Sequence, residues 1–267
     1  MLARAISKST LAIIGTVSMA CLPSCSDKPD SPESAPIRIG AVLPLSGPSA
    51  RYGKWIQEGL ELARAEVNRA GGIHGRHLEI IYEDDQAQPK TAASATQKLI
   101  QVNKVKVIFG SWASSCVLAQ APIVEQSGVV LMAEAISPKI REAGDYVFRI
   151  QPDARYYLAK LVPFAFDKLK ARTVCILYVN NDFGVDQADV FATRFEELGG
   201  RVLAKEGYMP ERPDFRAALT KVRAARPDIV FLAGYAEIGT ILNQAKELGL
   251  NVQFLGSVPT ENPHIVQ

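Results

Sequence analysis

The stretch from Ile37 to Gly53 reads IRIGAVLPLSGPSARYG, and its pattern decides the fold. Alternating and then continuous apolar residues over Ile37–Leu43 are typical of a strand buried in a parallel sheet. Pro44 and the small residues at 46–49 then end this strand in a loop. Apolar residues at helical spacing follow, namely Ile56, Leu60, Ala63 and Val67. This order predicts a ligand-binding loop at the carboxyl edge of a sheet.

The rest of the chain repeats the alternation of strand and helix. Strands are predicted over 77–83, 105–109, 129–133, 173–179, 202–208, 228–233 and 252–255. Helices are predicted over 89–102, 114–125, 156–169, 185–198, 215–224 and 238–248. Such an alternation favours parallel sheets with helices on their faces. Because the pattern breaks near Ile150, we expect two α/β lobes, 37–150 and 151–267.

The bulk composition fits a globular chain with a substantial core. The 267 residues are 48% hydrophobic and 22% charged, with a net charge of +2. This charge favours neither a nucleic acid nor an acidic surface as partner. Two of the four cysteines lie in the first 25 residues, which argues against a disulfide scaffold.

No signature of an enzyme is evident in the sequence. It contains no GxGxxG after a strand, no GxxxxGK[ST] and no GxSxG. His74 and His77 have HxxH spacing, but they lie in a glycine-rich turn without an evident third ligand. We therefore predict no catalytic residue, no metal site and no cofactor.

The first 25 residues are predicted to be an export signal. Arg4 and Lys8 precede an apolar segment at 11–20 that is shorter than the roughly 20 residues of a membrane span. The sequence LPSC, ending at Cys25, resembles a lipobox, and Cys21 is the alternative lipidation site. A lipid on either cysteine would anchor the chain to a membrane. An ordinary secretory signal with incidental cysteines remains the other interpretation. Residues 26–36 are polar and proline-containing, as in a flexible tether.

Several short motifs together resemble one family. They are the loop at 44–53, the turn GGIHGRHL at 71–78, GSWASS at 110–115, EAISP at 134–138, NDFG at 181–184 and Gly234-Tyr235. They are similar to motifs of the branched-chain amino-acid (Leu/Ile/Val) binding proteins, the substrate-binding proteins of ABC transporters with a type I periplasmic-binding fold. The resemblance implies an α/β fold of two lobes, each a parallel sheet flanked by helices. The family continues beyond the length of this chain, so we expect a truncated fold whose second lobe is incomplete.

The resemblance also assigns ligand-binding roles. Ser114 and Ser115 stand where the family holds the ligand α-carboxylate, at a helix start that suits an anion. N-capping of that helix by serine is the alternative. Tyr52 matches an aromatic residue that covers the ligand from the first lobe. The remaining assignments are Phe183 and Tyr235 as walls from the second lobe, Trp112 as a wall or a core residue, and Asp153 as a partner of the ligand ammonium.

The loop EAISP departs from the family pattern. Ile136 replaces a residue that often carries a hydroxyl, although Ser137 is adjacent, and the family's loop also lends backbone groups to the ligand. Glu134 would bind a cationic group of the ligand, or would simply pair with Lys139 or Arg141.

Two further departures concern the amino group of the ligand and the family's disulfide. Val258 stands where the family often has an acid for the ammonium, and Glu261 lies three residues later, so specificity for amino acids stays open. The family's two disulfide positions match Ala87 and Ala113. Cys116 and Cys175 are therefore interpreted as buried thiols in different lobes.

These observations favour an exported substrate-binding protein of an ABC importer. We expect it in the periplasm or at the cell surface, where it would pass an amino acid or a similar small polar ligand to membrane permease subunits. A sensor of the same fold coupled to a signalling partner is the first alternative. An α/β enzyme is the second, and the missing catalytic motifs argue against it.

Overall fold

The computed structural model describes residues 35–209 and 214–258. Strands and helices alternate along them in the order β1 (Ile37–Leu43), α1 (Ala50–Arg69), β2 (Leu78–Asp84), α2 (Pro89–Gln101), β3 (Val107–Gly110), α3 (Ser114–Ser127), β4 (Val130–Ala133), β5 (Val147–Arg149), α4 (Ala154–Pro163), β6 (Thr173–Val179), α5 (Asp182–Glu197), β7 (Arg201–Tyr208), α6 (Arg216–Ala225), β8 (Ile229–Ala233), α7 (Ile238–Glu247) and β9 (Gln253–Gly256). The predicted export signal, the lipidation sites Cys21 and Cys25, most of the predicted tether and Glu261 lie outside the described residues.

The strands form two parallel sheets, which confirms the predicted α/β class. The first sheet has the order β2-β1-β3-β4-β5, and the second has the order β7-β6-β8-β9. All pairings between these strands are parallel. We call the first sheet with α1–α3 the first lobe, and the second sheet with α4–α7 the second lobe. We propose that the boundary lies between β5 and α4, close to the break predicted at Ile150.

The two sheets are covered differently. The second sheet has an apolar cluster on each face, one with α4 and α5 and the other with α6 and α7. The first sheet packs one face against α2 and α3, where Gln120 Nε2 donates a buried hydrogen bond of 2.9 Å to Thr96 Oγ1. Its other face has α1 beside β1 and β2, and a groove of about 350 Å³ between α1 and the ends of β1, β3 and β4. Trp55, Phe148 and Ile150 are about half exposed on this side or at its edge. The apolar face predicted for α1 is therefore only partly buried.

Two glycines allow α1 and α5 to lie close to the sheets. A Cβ atom on Gly53 of α1 would lie 2.1 Å from the carbonyl oxygen of Pro44, and one on Gly184 of α5 would lie 1.9 Å from that of Val179. Both distances are far shorter than any van der Waals contact. Each helix can therefore begin directly beside the end of the strand that precedes it.

Two helices differ from their predicted bounds by more than two residues. The helix predicted over 156–169 is α4 followed by a π-helical segment at Phe164–Lys168. Pro163 lacks the N–H that a regular helix would use, and the change of helix type occurs there. The helix predicted from residue 185 begins at Asp182, because Asn181 caps it by accepting a hydrogen bond from the N–H of Gly184 at 3.0 Å.

Cys116 in α3 and Cys175 in β6 are free and buried, as predicted. Among the helices of the described residues, none has both the length and the apolar character that are needed to cross a bilayer.

Candidate functional site

Four aromatic side chains predicted to line the cleft form one row across the two lobes. Tyr52 stacks on Trp112 with ring centroids 4.2 Å apart, and Trp112 lies 4.9 Å from Tyr235. Tyr235 in turn stacks on Phe183 at 4.7 Å. Tyr52 and Trp112 belong to the first lobe, whereas Tyr235 and Phe183 belong to the second. We call these four residues the aromatic row.

Two consecutive carboxylates at the end of β2 hold the loop that leads into α1, which carries Tyr52, and the loop that carries Trp112. Asp84 accepts a hydrogen bond of 2.8 Å from the N–H of Leu45, in the loop before α1. Asp85 is fully buried and accepts hydrogen bonds from Ser111 Oγ and from the N–H of Ala87. Burial raises the pKa of Asp85, and the bond from Ser111 partly offsets this. The residue next to Ser111 is Trp112, so this contact fixes the loop that carries its ring.

A second set of contacts holds Tyr235 in place. Glu237 accepts hydrogen bonds from the N–H of Tyr235 at 3.0 Å and from Tyr208 Oη at 2.9 Å. Asn181 Nδ2 lies 3.4 Å from Tyr235 Oη. Burial raises the pKa of the Tyr235 phenol, so this side chain stays neutral at physiological pH. Its ring is therefore a fixed apolar surface with one polar end.

Ile136 contributes an apolar contact between the lobes. It is buried in one cluster with Val179 and Phe183 of the second lobe. Tyr157, Tyr208, Tyr235 and Val258 pack against this cluster. Ile136, which stands where the family often has a hydroxyl, thus packs against the second lobe. Val258 adds to the same apolar surface.

Ser114 does not cap α3, so the N-capping interpretation is wrong. The N-cap residue is Ala113, which has no side-chain acceptor, and Ser114 is the first residue of the helix. Ser114 is buried, and its Oγ accepts a hydrogen bond of 3.3 Å from the N–H of Ser137. Ser115 follows it and is partly exposed. Ala113 offers no side-chain acceptor to the first turn of α3, and the N–H of Cys116 donates to the Ala113 carbonyl instead, so the N–H groups at the helix start are those of Ser114 and Ser115.

Ser137 and Lys139 bind the second lobe directly. Ser137 Oγ donates a hydrogen bond to Asp186 of α5. Lys139 Nζ lies 3.0 Å from Asp182 Oδ1 and 3.3 Å from Asp186 Oδ1. The hydrogen bond to Asp182 and the nearby charges raise the pKa of Lys139. We call Lys139 with Asp182 and Asp186 the interlobe ion pair.

The interlobe ion pair is the main feature that the sequence analysis missed. Lys139 is more than 40 positions away from both aspartates in the chain, and local patterns cannot connect residues at such a distance. The available signal was the four-residue spacing of Asp182 and Asp186, which places them one helical turn apart once the helix begins at Asp182 and not at residue 185.

Asp153 already has cationic partners. Its side chain caps α4 by accepting a hydrogen bond of 2.9 Å from the N–H of Arg155. Its Oδ2 also lies 2.7 Å from Arg155 Nη2 and 3.3 Å from Arg149 Nη2. Burial acts to raise the pKa of Asp153, but the contacts with both arginines lower it overall. The charge predicted to hold a ligand ammonium is therefore balanced within the protein.

Glu134 lies in the groove beside α1, together with Leu43, Trp55 and Met132. It accepts a hydrogen bond of 2.7 Å from Gln151 Nε2. The expected pairing with Lys139 or Arg141 is thus replaced by a neutral partner, because Lys139 reaches toward α5. Burial raises the pKa of Glu134, and the bond from Gln151 partly opposes this.

Comparison with known proteins identifies the family. A family model described as periplasmic binding protein matches residues 36–265. The leucine-, isoleucine-, valine-, threonine- and alanine-binding protein of Pseudomonas aeruginosa is 30% identical over 232 residues, which are 86% of this chain and 62% of that protein.

Two solved structures show the same fold. One is the branched-chain amino-acid transporter substrate-binding protein of Streptococcus pneumoniae in complex with isoleucine, with a TM-score of 0.75, 30% identity, and coverage of 83% of this chain and 64% of its own. The other is a solute-binding protein of an ABC transporter from Rhodopseudomonas palustris in complex with 3,4-dihydroxy benzoic acid, with a TM-score of 0.75, 26% identity, and coverage of 85% and 63%.

The match extends over most of this chain but not over most of its relatives. The chain spans less than two thirds of the length of the proteins compared above. Its two parallel sheets have the fold of both solved structures, and the family model includes nearly all of the described residues. The chain belongs to the periplasmic binding protein family.

Proposed function

We propose that this chain is an extracytoplasmic substrate-binding protein of an ABC importer. It binds an amino acid or a similar small polar ligand between its lobes and delivers it to membrane permease subunits. It carries out no chemistry on the ligand. An export signal directs it to the periplasm or the cell surface, where a lipid on Cys25, or alternatively Cys21, anchors it.

The aromatic row is the observation that carries this proposal. It joins segments that follow the carboxyl ends of strands in both sheets, which is where open α/β sheets bind ligands. Rings from two lobes suit a clamp that closes on a small molecule. The interlobe ion pair and the contact between Ser137 and Asp186 lie beside the row and hold the lobes together.

A carboxylate is the polar group that this site accommodates best. The first turn of α3 offers backbone N–H groups and the favourable end of the helix dipole. The hydroxyl of Ser115 lies in the same turn and is partly exposed. The similar solved proteins, one with isoleucine and one with 3,4-dihydroxy benzoic acid, both have carboxylate ligands.

A thermal melt in the presence of a ligand panel tests the proposal. The panel contains amino acids, amides and small carboxylates, each added to the full exported chain. A ligand at about a thousandfold over its dissociation constant stabilises a protein by roughly 4 kcal/mol, which gives a clear shift of the melt. A cooperative melt that no member of the panel shifts would contradict the proposal.

Substitutions locate the site. Ser114→Ala and Tyr235→Ala should each abolish the ligand-induced shift while the melt without ligand stays cooperative. Ser94→Ala and Tyr146→Ala are the controls, because both side chains are exposed, Ser94 on α2 and Tyr146 directly before β5 at the amino-terminal edge of the first sheet. Equal ligand shifts in all four variants would show that the ligand binds elsewhere.

A further inference from the structure

The groove beside α1 is a cavity of the first lobe that lies apart from the aromatic row. Its volume is about 350 Å³. Most of its lining is apolar and comes from α1 and from the ends of four strands, namely Leu43, Trp55, Leu60, Phe109, Met132 and Ile150. Among the described residues that line it, none belongs to the aromatic row. A volume of this size holds a small organic molecule.

Glu134 is the only charged side chain among the described residues that line this groove. Its Oε1 accepts a hydrogen bond of 2.7 Å from Gln151 Nε2, which is a neutral donor. Burial raises the pKa of Glu134, because its ionised form has lost water without gaining a counter-charge. The groove therefore presents a carboxylate whose charge no cation of the described residues balances.

The cations that lie close to Glu134 in the sequence are held elsewhere. Lys139 belongs to the interlobe ion pair. Arg149 Nε donates a hydrogen bond of 2.8 Å to the carbonyl oxygen of Gln151, and Arg149 Nη2 lies 3.3 Å from Asp153 Oδ2. Neither cation can reach Glu134 without giving up these contacts. The carboxylate is thus left for a cation that comes from outside the chain.

A ligand that matches this groove is apolar over most of its surface and cationic at one end. From these contacts we propose a second binding site in the first lobe, for a small organic ammonium ion with an apolar body. The ammonium pairs with Glu134, and the apolar body lies against Trp55, Phe109 and Met132. This site goes beyond the proposed function, because it lies outside the aromatic row and its ligand is not the transported one.

Four probe compounds separate the charge of the ligand from its apolar body. 2-Phenylethylamine carries both features. 2-Phenylethanol keeps the ring and replaces the ammonium by a neutral hydroxyl group, whereas ethylamine keeps the ammonium and lacks the ring. 3-Phenylpropionate keeps the ring and reverses the charge. Each compound is titrated into the full exported chain at pH 7 and followed by calorimetry.

We expect 2-phenylethylamine to bind at least about tenfold more tightly than each of the other three compounds, because only it satisfies both the carboxylate and the apolar wall. Glu134→Gln should weaken the amine by about tenfold and leave 2-phenylethanol unchanged, since glutamine can still accept the bond from Gln151. Glu142→Gln, which removes an exposed carboxylate between β4 and β5, should not change the ratio of the two affinities.

Two further variants locate the bound amine. Ile150→Ser removes part of the apolar wall and should weaken 2-phenylethylamine and 2-phenylethanol alike. The chain has two tryptophans, so Trp112→Phe leaves Trp55 as the single reporter in the groove. The amine should change the emission of Trp55 over the concentration range in which calorimetry detects binding. Tyr235→Ala should retain the affinity for the amine, because Tyr235 lies in the aromatic row.

Two outcomes would overturn this inference. The first is that the unaltered chain shows no preference for 2-phenylethylamine over 2-phenylethanol, which would mean that Glu134 holds no ligand cation. The second is that Tyr235→Ala abolishes binding of the amine while Glu134→Gln does not, which would place the amine in the aromatic row. Neither outcome contradicts the proposed function, which the ligand panel tests separately.

Discussion

Lys139 of the first lobe lies 3.0 Å from Asp182 and 3.3 Å from Asp186 of the second, so one ammonium joins two carboxylates that are one helical turn apart. The segment that carries Lys139 also contains Ser137, which donates to Asp186 and whose N–H binds Ser114. The first turn of α3, where we propose that the ligand carboxylate binds, is thus connected to the contact that holds the lobes together.

Lys139→Gln should weaken ligand binding by about two- to fivefold, because exposed ion pairs contribute up to about 1 kcal/mol. Raising the salt concentration should weaken binding to the unaltered chain and should affect the variant less. Calorimetric titration at low and high salt measures both effects. Lys205→Gln is the matched control, since Lys205 pairs with Asp189 inside the second lobe. Equal loss of affinity in both variants would argue against a role of Lys139 in holding the two lobes closed on the ligand.

Alanine at two glycines of α1 should have opposite effects on stability. At Gly53 the new Cβ would meet the carbonyl of Pro44 at 2.1 Å, so Gly53→Ala should destabilise by about 1–3 kcal/mol and weaken ligand binding. At Gly59 the Cβ meets nothing within 4 Å, so Gly59→Ala should stabilise by about 0.5–1 kcal/mol. Urea unfolding of both variants provides the measurement. Destabilisation by both would mean that α1 does not pack as described.

Asp228 should contribute to acid unfolding. It accepts hydrogen bonds from the N–H groups of Arg172 and Thr173 at 2.8 Å, and the bond from Arg172 is the main cause of its lowered pKa. A carboxyl group whose pKa is lowered by folding stabilises the protein above its unfolded pKa, about 3.9. That stabilisation is lost as the pH falls through the lower, folded value.

Asp228→Asn should therefore destabilise the protein by about 1 kcal/mol at pH 7. This is below the range of about 1.5–3 kcal/mol for hydrogen bonds to a charged group, because the side chain is exposed. The unfolding free energy of this variant should also fall less steeply than that of the unaltered chain between pH 5 and pH 3. Urea unfolding across this range tests the slope. Asp167→Asn, which removes one exposed carboxylate elsewhere, is the control, and an equal change of slope in it would refute the assignment.

The exposed apolar residues of the first lobe should bind a hydrophobic dye. Phe148 and Ile150 are each 50% exposed, and Trp55 is 48% exposed. Apolar patches of this kind mark interaction surfaces or aggregation sites. Phe148→Ser together with Ile150→Ser should reduce dye fluorescence and concentration-dependent scattering, roughly in proportion to the apolar area removed. Phe164→Ser in the second lobe removes a comparably exposed ring and should have a smaller effect.

The sequence was sufficient for the order of elements because burial in parallel sheets leaves a strong local pattern. The strand Thr173–Val179 has the bounds that its apolar run predicts. Helix starts were harder to predict, since they depend on single caps. Asn181 starts α5 three residues earlier than its apolar periodicity suggests, and Asp153 likewise starts α4 two residues early.

The meeting of the four rings was predictable from the sequence, but the partners of the charged side chains were not. Tyr52, Trp112, Phe183 and Tyr235 come together because each follows a strand that ends at the same edge of its sheet. Which cation each carboxylate meets depends on distances between distant segments, and these distances have no local signature. Asp153 meets two arginines, and Lys139 bypasses Glu134 to reach α5, for this reason.

The parallel pairing of every named strand also affects how quickly this chain folds. No two neighbouring strands can be joined by a short hairpin, and the pairing of β1 with β3 brings Gly40 next to Ile108. Contacts between such distant segments require large loops to close first, which slows folding relative to local hairpins and helix pairs. We therefore expect a newly made chain to remain unfolded long enough for export to precede the assembly of its sheets.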